Sequence, residues 1–118
     1  MPDSISVLIV AREELIAALL GLLVETTGHL VSFAEPGEGS AGAVRRTLPG
    51  VVIVDCDHRD CGEDLFKAAR EVGARLILFS ASREADYVRR VAAPSHSDSF
   101  TFPIEPPQLD SLIRQQIV

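Results

Sequence analysis

Asp55 is the residue of this chain that is best placed to do chemistry, because it ends an apolar strand. The run 51–55 reads Val-Val-Ile-Val-Asp, and open α/β sheets carry their functional groups at the carboxyl ends of parallel strands. Two later apolar runs end at similar positions, one at Ser80 and Ala81 and the other at Phe102 and Pro103. We therefore expect a carboxylate and a hydroxyl group to lie at one edge of a sheet.

The segments around Asp55 alternate between strand and helix patterns. Five short apolar runs are predicted to be strands, at 6–10, 29–34, 51–55, 75–80 and 99–102. Helices are predicted at 13–26, 36–46, 62–72, 82–92 and from 107 to the C-terminus. This alternation indicates an α/β fold with a five-stranded parallel sheet covered on both faces. Right-handed connections favour the doubly wound, flavodoxin-like order 2-1-3-4-5, a three-layer sandwich, in a single domain spanning 1–118.

Two of the predicted helices have unusual compositions. Helix 13–26 has acidic residues in its first turn, and its apolar face is predicted to consist of Leu15, Leu19, Leu22 and Leu23. Helix 36–46 contains three glycines, Gly37, Gly39 and Gly42. Each glycine costs about 1 kcal/mol relative to alanine, so we expect this helix to be irregular.

The composition argues against several classes of function. The net charge is −6, from 11 basic and 17 acidic residues. No basic cluster is larger than the pairs 45–46 and 89–90, so nucleic-acid binding is not expected. The longest uncharged apolar stretch, 15–24, is too short to span a bilayer, and no secretory signal is recognisable. We therefore expect a cytoplasmic protein that does not bind membranes.

The chain resembles a response-regulator receiver (CheY-like) domain from end to end. The resemblance rests on the order of the strand ends: an Asp, then Ser-Ala, then a residue before Pro. In that family the Asp attacks a phosphohistidine, and an acidic pair after the first strand helps to hold Mg²⁺. A Ser or Thr after the fourth strand and a Lys after the fifth bind the phosphoryl group. The cations are needed because three phosphoryl oxygens cannot lie beside a carboxylate without them.

Only part of that pattern is present. By resemblance, the acceptor position falls on Asp55 and the hydroxyl position on Ser80. The acidic pair falls on Ala11 and Arg12. The Lys position falls on Phe102, 22 residues after Ser80, which is the usual separation in the family. The groups that would bind metal and phosphate are therefore missing.

Four side chains near Asp55 have more than one interpretation. Arg12 either places its guanidinium beside Asp55 as an internal cation or points to solvent, as most arginines do. Phe102 is expected to pack into the core. Glu13 and Glu14 either help to hold Mg²⁺ or serve only as first-turn acids of a helix. We expect no metal, or at most Mg²⁺ held by Glu13 and Asp55.

Cys56, His58 and Cys61 form a second metal-like pattern, with Asp57 and Asp60 interleaved. A structural zinc site takes four ligands, commonly in two clusters, and the sequence has no second cluster, so zinc is not expected. A disulfide is not expected either, because we expect a cytoplasmic protein.

The sequence as a whole predicts a degenerate receiver, or pseudo-receiver. Such a module is not an enzyme, has no resident cofactor, and acts by binding another signalling protein, a histidine kinase or an effector. The alternative is a weakly phosphorylatable receiver that uses Asp55 as a Mg²⁺-dependent acceptor. Receivers bind partners, or a second copy of themselves, through the fourth helix, fifth strand and fifth helix. Here that face is predicted to include Arg83, Tyr87, Arg90, Phe100 and Ile104.

Overall fold

Apolar runs determine where the strands lie, and helices fill the segments between them. The computed structural model describes residues 4–35, 37–80, 85–92 and 98–115. The strands are β1 (Ser6–Val10), β2 (Leu30–Phe33), β3 (Val51–Asp55), β4 (Arg75–Ser80) and β5 (Asp98–Thr101). The helices are α1 (Glu14–Thr26), α2 (Ser40–Thr47), α3 (Glu63–Val72), α4 (Ala85–Ala92) and α5 (Pro106–Arg114). All strand pairs are parallel in the order β2-β1-β3-β4-β5, which confirms the predicted doubly wound fold.

Each face of the sheet has its own hydrophobic core, because successive side chains of a strand point to opposite faces. The core under α1 and α5 includes Val7, Ile9, Leu20, Ile53, Phe79, Leu109 and Ile113. The core under α2, α3 and α4 includes Leu8, Val10, Val44, Val54, Leu65, Leu78 and Val88. The central strands β1, β3 and β4 are buried on both faces. Their sequences are therefore continuous apolar runs, which is why the predicted bounds of these three strands match the structure.

The second helix is shorter than the sequence predicts. A helix is expected from residue 36, whereas α2 begins at Ser40. Gly37 and Gly39 both have a φ of 79°, a left-handed conformation that a right-handed helix cannot contain. The actual start is stabilised by Asp60, whose Oδ2 accepts a hydrogen bond of 3.2 Å from the Ser40 N–H. The predicted start of the fourth helix, 82–84, lies outside the described residues.

The leucines of α1 are placed differently from the expected pattern. Of the four predicted to form its apolar face, only Leu23 packs against the core. The others are exposed: Leu15, Leu19 and Leu22, by 70%, 41% and 58%. The helix packs through Leu20, Gly21 and Val24 instead. Gly21 allows the close approach of α1 to β2, since a Cβ there would lie 2.8 Å from Cζ of Phe33.

In the described part of the chain, no helix has the length and apolarity needed to cross a membrane.

A buried histidine links three elements at the amino end of the sheet. His29, just before β2, is 3% exposed. Its Nδ1 accepts a hydrogen bond of 3.1 Å from the Ile5 N–H, which precedes β1. Its Nε2 lies 2.8 Å from Oδ1 of Asp110 in α5. A ring that accepts at Nδ1 must donate from Nε2, so the imidazole is neutral. The hydrogen bond from His29, followed by that from Arg114, lowers the pKa of Asp110 below its ordinary value of 3.8.

Replacing His29 with Ala is expected to lower the free energy of unfolding by about 2 to 4 kcal/mol. The change leaves the Ile5 N–H without its acceptor and opens a cavity at the sheet edge. Urea denaturation followed by circular dichroism measures the effect. The control is Leu48→Ala at a side chain that is 65% exposed, which should change stability by less than about 0.5 kcal/mol. A loss as small as the control's would show that the His29 contacts do not stabilise the fold.

Candidate functional site

Asp55 and Ser80 lie where β3 and β4 end side by side. In the strand register Asp55 is opposite Phe79, and Ser80 is opposite Thr101. The ladder continues past the strand end, because the Cys56 N–H donates to the Phe79 carbonyl at 2.8 Å. Asp55 is 6% exposed and Ser80 is 1% exposed. The carboxylate and the hydroxyl group therefore share one buried edge of the sheet.

Backbone N–H groups hold the Asp55 carboxylate. Its Oδ1 accepts a hydrogen bond of 2.9 Å from the Asp57 N–H, and its Oδ2 accepts one of 3.4 Å from the Arg12 N–H. Within the described ranges, no Lys, Arg or His side chain forms an ion pair with Asp55. Both carboxylate oxygens are thus bound by the protein's own backbone.

Of the two interpretations of Arg12, the structure shows the solvent-exposed one. The Arg12 side chain is 63% exposed, and its Nη2 lies 3.9 Å from Oε2 of Glu13, which is equally exposed. Glu13 is the N-cap residue of α1, and Glu14 belongs to its first turn. The start of the helix therefore directs Glu13 toward Arg12 and solvent. A metal ion held by Glu13 and Asp55 would require the two carboxylates to lie close together. Glu13 is not part of the group of potential ligands around Asp55.

Asp57 is a site residue that the sequence analysis considered only within the Cys56–Cys61 pattern and did not assign to the Asp55 site. A turn after β3, closed by a 2.9 Å hydrogen bond from the His58 N–H to the Asp55 carbonyl, returns Asp57 to the strand end. Its Oδ2 accepts a hydrogen bond of 3.2 Å from the Ser80 hydroxyl. Potential ligand atoms of Asp55, Cys56 and Asp57 lie within 4.8 Å of one another. The signal that could have found Asp57 is a second Asp two residues after the strand-end Asp.

This group fits a hard cation better than a soft one. The two carboxylates are the kind of ligand that Mg²⁺ takes, with water in its remaining positions. The thiol of Cys56 does not suit Mg²⁺: burial, and then the charges of Asp57 and Asp55, raise its pKa and keep it protonated. The sequence pattern with His58 and Cys61 is not assembled, because neither belongs to the group, and Nδ1 of His58 accepts a local backbone hydrogen bond.

Aromatic rings occupy the side of the site where the receiver pattern places a Lys. The rings of Phe79 and Phe100 are stacked, with centroids 5.3 Å apart and planes inclined by 10°. The Phe102 ring lies 6.5 Å from that of Phe79, and Phe102 and Ala11 both pack against the core under α1 and α5. Phe102 therefore packs as the sequence predicts, and its peptide bond to Pro103 is cis.

The predicted interaction face contains a groove between β5 and α5. Its volume is about 710 Å³, and it is lined by Phe100, Thr101, Pro103, Ile104, Gln108, Ser111, Leu112 and Gln115. On α4, the guanidinium of Arg90 lies 6.0 Å from the centroid of the Tyr87 ring, a cation–π contact. Two other predicted residues, Ala81 and Arg83, lie outside the described residues.

The fold is that of response-regulator receiver domains of known structure. The receiver domain of a modulated diguanylate cyclase from Desulfovibrio desulfuricans G20 matches with a TM-score of 0.76 at 22% identity, over 96% of this chain and 93% of that one. The chemotaxis protein CheY4 of Vibrio cholerae matches with a TM-score of 0.77 at 12% identity, over 98% and 100%. A response regulator from Thermotoga maritima matches with a TM-score of 0.75 at 18% identity, over 96% and 99%. No model of a protein family and no curated protein matches the sequence.

The free thiol of Cys61 provides a test of the site's burial and charge. Burial, followed by the nearby Cys56 and Asp55, raises the pKa of Cys61 from 9.0 to about 11. A rise of this size lowers the thiolate fraction at neutral pH about 100-fold. In a Cys56→Ala variant at pH 8, burial and the charge of Asp55 still raise the pKa of Cys61, so we expect iodoacetamide to modify this thiol at least about tenfold more slowly in the folded protein than in urea. Similar rates in the two states would contradict the described environment of the thiol.

Proposed function

We propose that this chain is an atypical receiver module of two-component signalling, which acts by protein–protein interaction and has an impaired phosphorylation site. The receiver fold supports the signalling assignment. The inference that phosphorylation is impaired rests on the contacts of the Asp55 carboxylate. Backbone N–H groups bind both of its oxygens, and no cationic side chain among the described residues pairs with it.

Phosphorylation of Asp55 would place about two negative charges beside Asp57. At 4 Å, each pair of like unit charges repels by about 4 kcal/mol at an effective dielectric constant near 20. Without compensation, one such repulsion reduces an equilibrium constant by about three orders of magnitude. A working site compensates with a metal ion and a Lys. Here the corresponding positions hold Ala11, an exposed Arg12 and a core-packed Phe102, so a phosphorylated Asp55 is strongly disfavoured.

The groove between β5 and α5 is the surface we assign to the partner. Its apolar lining includes Phe100, Ile104 and Leu112, and amide and hydroxyl side chains also line it. Concave apolar surfaces with a few polar groups are typical of binding sites. Tyr87 and Arg90 lie on α4, which contacts β5, and they are residue types that are common in interface hot spots. On this proposal the partner is a histidine kinase or an effector, and the chain itself carries out no catalytic step.

Asp57 favours a second candidate function, that of a weak phosphoryl acceptor. Asp55 and Asp57 together would hold Mg²⁺, with water completing its coordination. The ion would neutralise part of the charge on a phosphoryl group. This candidate still has no counterpart of the Lys, and the Ser80 hydroxyl is already bonded to Asp57.

Calorimetric titration with MgCl₂ separates the two candidates. We expect the wild type to show no saturable heat below concentrations on the order of 10 mM, because its ligand set is incomplete. Arg12→Asp should bind at least about tenfold more tightly, since it adds a carboxylate at a position whose N–H already bonds to Asp55. Phe102→Lys can be added to this variant to supply the missing cation. The matched control is Arg12→Gln, which removes the positive charge without adding a ligand and should behave like the wild type.

Tight Mg²⁺ binding by the wild type would contradict the proposal. If that binding were also lost in Asp57→Asn, the second candidate function would replace it.

A further inference from the structure

The outer side of α1 carries an apolar stripe that the fold does not use. Leu15, Leu19 and Leu22 are 70%, 41% and 58% exposed, and Ala18 between them is also exposed. Their spacing of i, i+3, i+4 and i+7 places them on one helix face, opposite the packed face formed by Leu20, Gly21 and Val24. We refer to these four residues as the α1 stripe. Several large apolar side chains that adjoin one another at a surface mark an interaction site, whereas single ones do not.

We propose that the α1 stripe packs against the α1 stripe of a second copy of this chain, with the two helices antiparallel. A two-fold axis passing between residues 18 and 19 brings Leu15 against Leu22 of the second copy, and Leu22 against its Leu15. The small side chain of Ala18 lies near that axis and lets the helices approach closely. A two-fold interface of this kind uses the same patch on both subunits.

The charges at the ends of α1 fit this orientation. The helix has Glu14 in its first turn and no basic residue in its last turn. A parallel pair would place Glu25 beside Glu25 and leave both helix C-termini without a cation. In the antiparallel pair, Arg12 of each subunit lies near Glu25 of the other and near its helix C-terminus, where a positive charge is favourable. Arg12 is available for this contact, because its guanidinium is 63% exposed and its nearest acid, Glu13, is 3.9 Å away.

The size of the stripe sets the expected affinity. Its exposed side chains offer roughly 300–400 Å² per copy, so the dimer would bury well under the 1,200 Å² that is typical of stable complexes. We therefore expect a weak, concentration-dependent dimer with a Kd on the order of 10–100 μM. This inference goes beyond the proposed function and does not depend on the state of Asp55. It also names a different surface from the β5–α5 groove.

Sedimentation velocity in metal-free buffer, from low micromolar to millimolar protein, tests the proposal. Leu22→Glu should weaken self-association more than about tenfold, because it places a charge against the apolar side chain of Leu15 in the second copy. The matched control is Leu48→Glu, the same change at a side chain that is 65% exposed and lies outside α1; it should leave the dimer unchanged. Leu22 and Leu48 are both exposed, so the fold should tolerate these two changes, which circular dichroism can verify.

Charge reversal tests the orientation. Arg12→Glu and Glu25→Arg should each weaken the dimer about fivefold, and the double variant should return to within about twofold of the wild type. A protein that stays monomeric up to millimolar concentration overturns the proposal. A dimer whose affinity is unchanged by Leu22→Glu also overturns it and would point to the β5–α5 face. A double variant that does not recover the wild-type affinity would exclude the antiparallel pairing and likewise overturns the proposal.

Discussion

Two carboxylates at one buried sheet edge, Asp55 and Asp57, limit what this site can do. Asp55 cannot move away from Asp57, because β3 is the central strand and is paired with β1 on one side and β4 on the other. The protein compensates with hydrogen bonds: two backbone N–H groups to Asp55 and the Ser80 hydroxyl to Asp57. These donors are dipoles and not full charges. They satisfy the carboxylates already present, and the proposed function rests on the inference that such dipoles do not offset the additional charge of a phosphoryl group.

The fold was more predictable from the sequence than the site was. The strands β1, β3 and β4 could be located to the residue, because strands buried on both faces are continuous apolar runs. The start of α2 was missed because the left-handed conformations of Gly37 and Gly39 are a property of the folded loop. The packed face of α1 was missed because the helix is apolar on nearly all sides, so periodicity could not choose between its two stripes. The packed face contains Gly21, whose close approach to Phe33 leaves no room for a side chain at that position.

The site could be predicted where it depends on strand ends and not where it depends on turns. Asp55, Ser80 and Phe102 follow from the strand pattern, and the core packing of Phe102 follows from its residue type. Asp57 reaches the site only because the turn after β3 folds back, and a turn conformation is hard to infer from one sequence. The sequence left the orientation of Arg12 open, because an exposed position and a position beside Asp55 are both compatible with its charge.

Among the described residues, two surfaces with exposed apolar side chains lie outside the Asp55 site. One surface is the outer side of α1, and another is the groove between β5 and α5. The helix α5 contacts α1 and also forms one wall of the groove. The buried Asp55 carboxylate together with two accessible apolar surfaces supports the proposal that this chain acts by binding other proteins.

The central claim is that Asp55 does not work as a phosphoryl acceptor, and an NMR titration with Mg²⁺ and beryllofluoride, a phosphoryl mimic, tests it most directly. The amide resonances of Asp55, Asp57, Ser80 and Phe102 report on the site, and those of α4 report on any conformational response. The account predicts no saturable shift at any of these amides. Saturable shifts at Asp55 and Asp57 that extend to α4 would contradict it, because they would show a working acceptor linked to a conformational change.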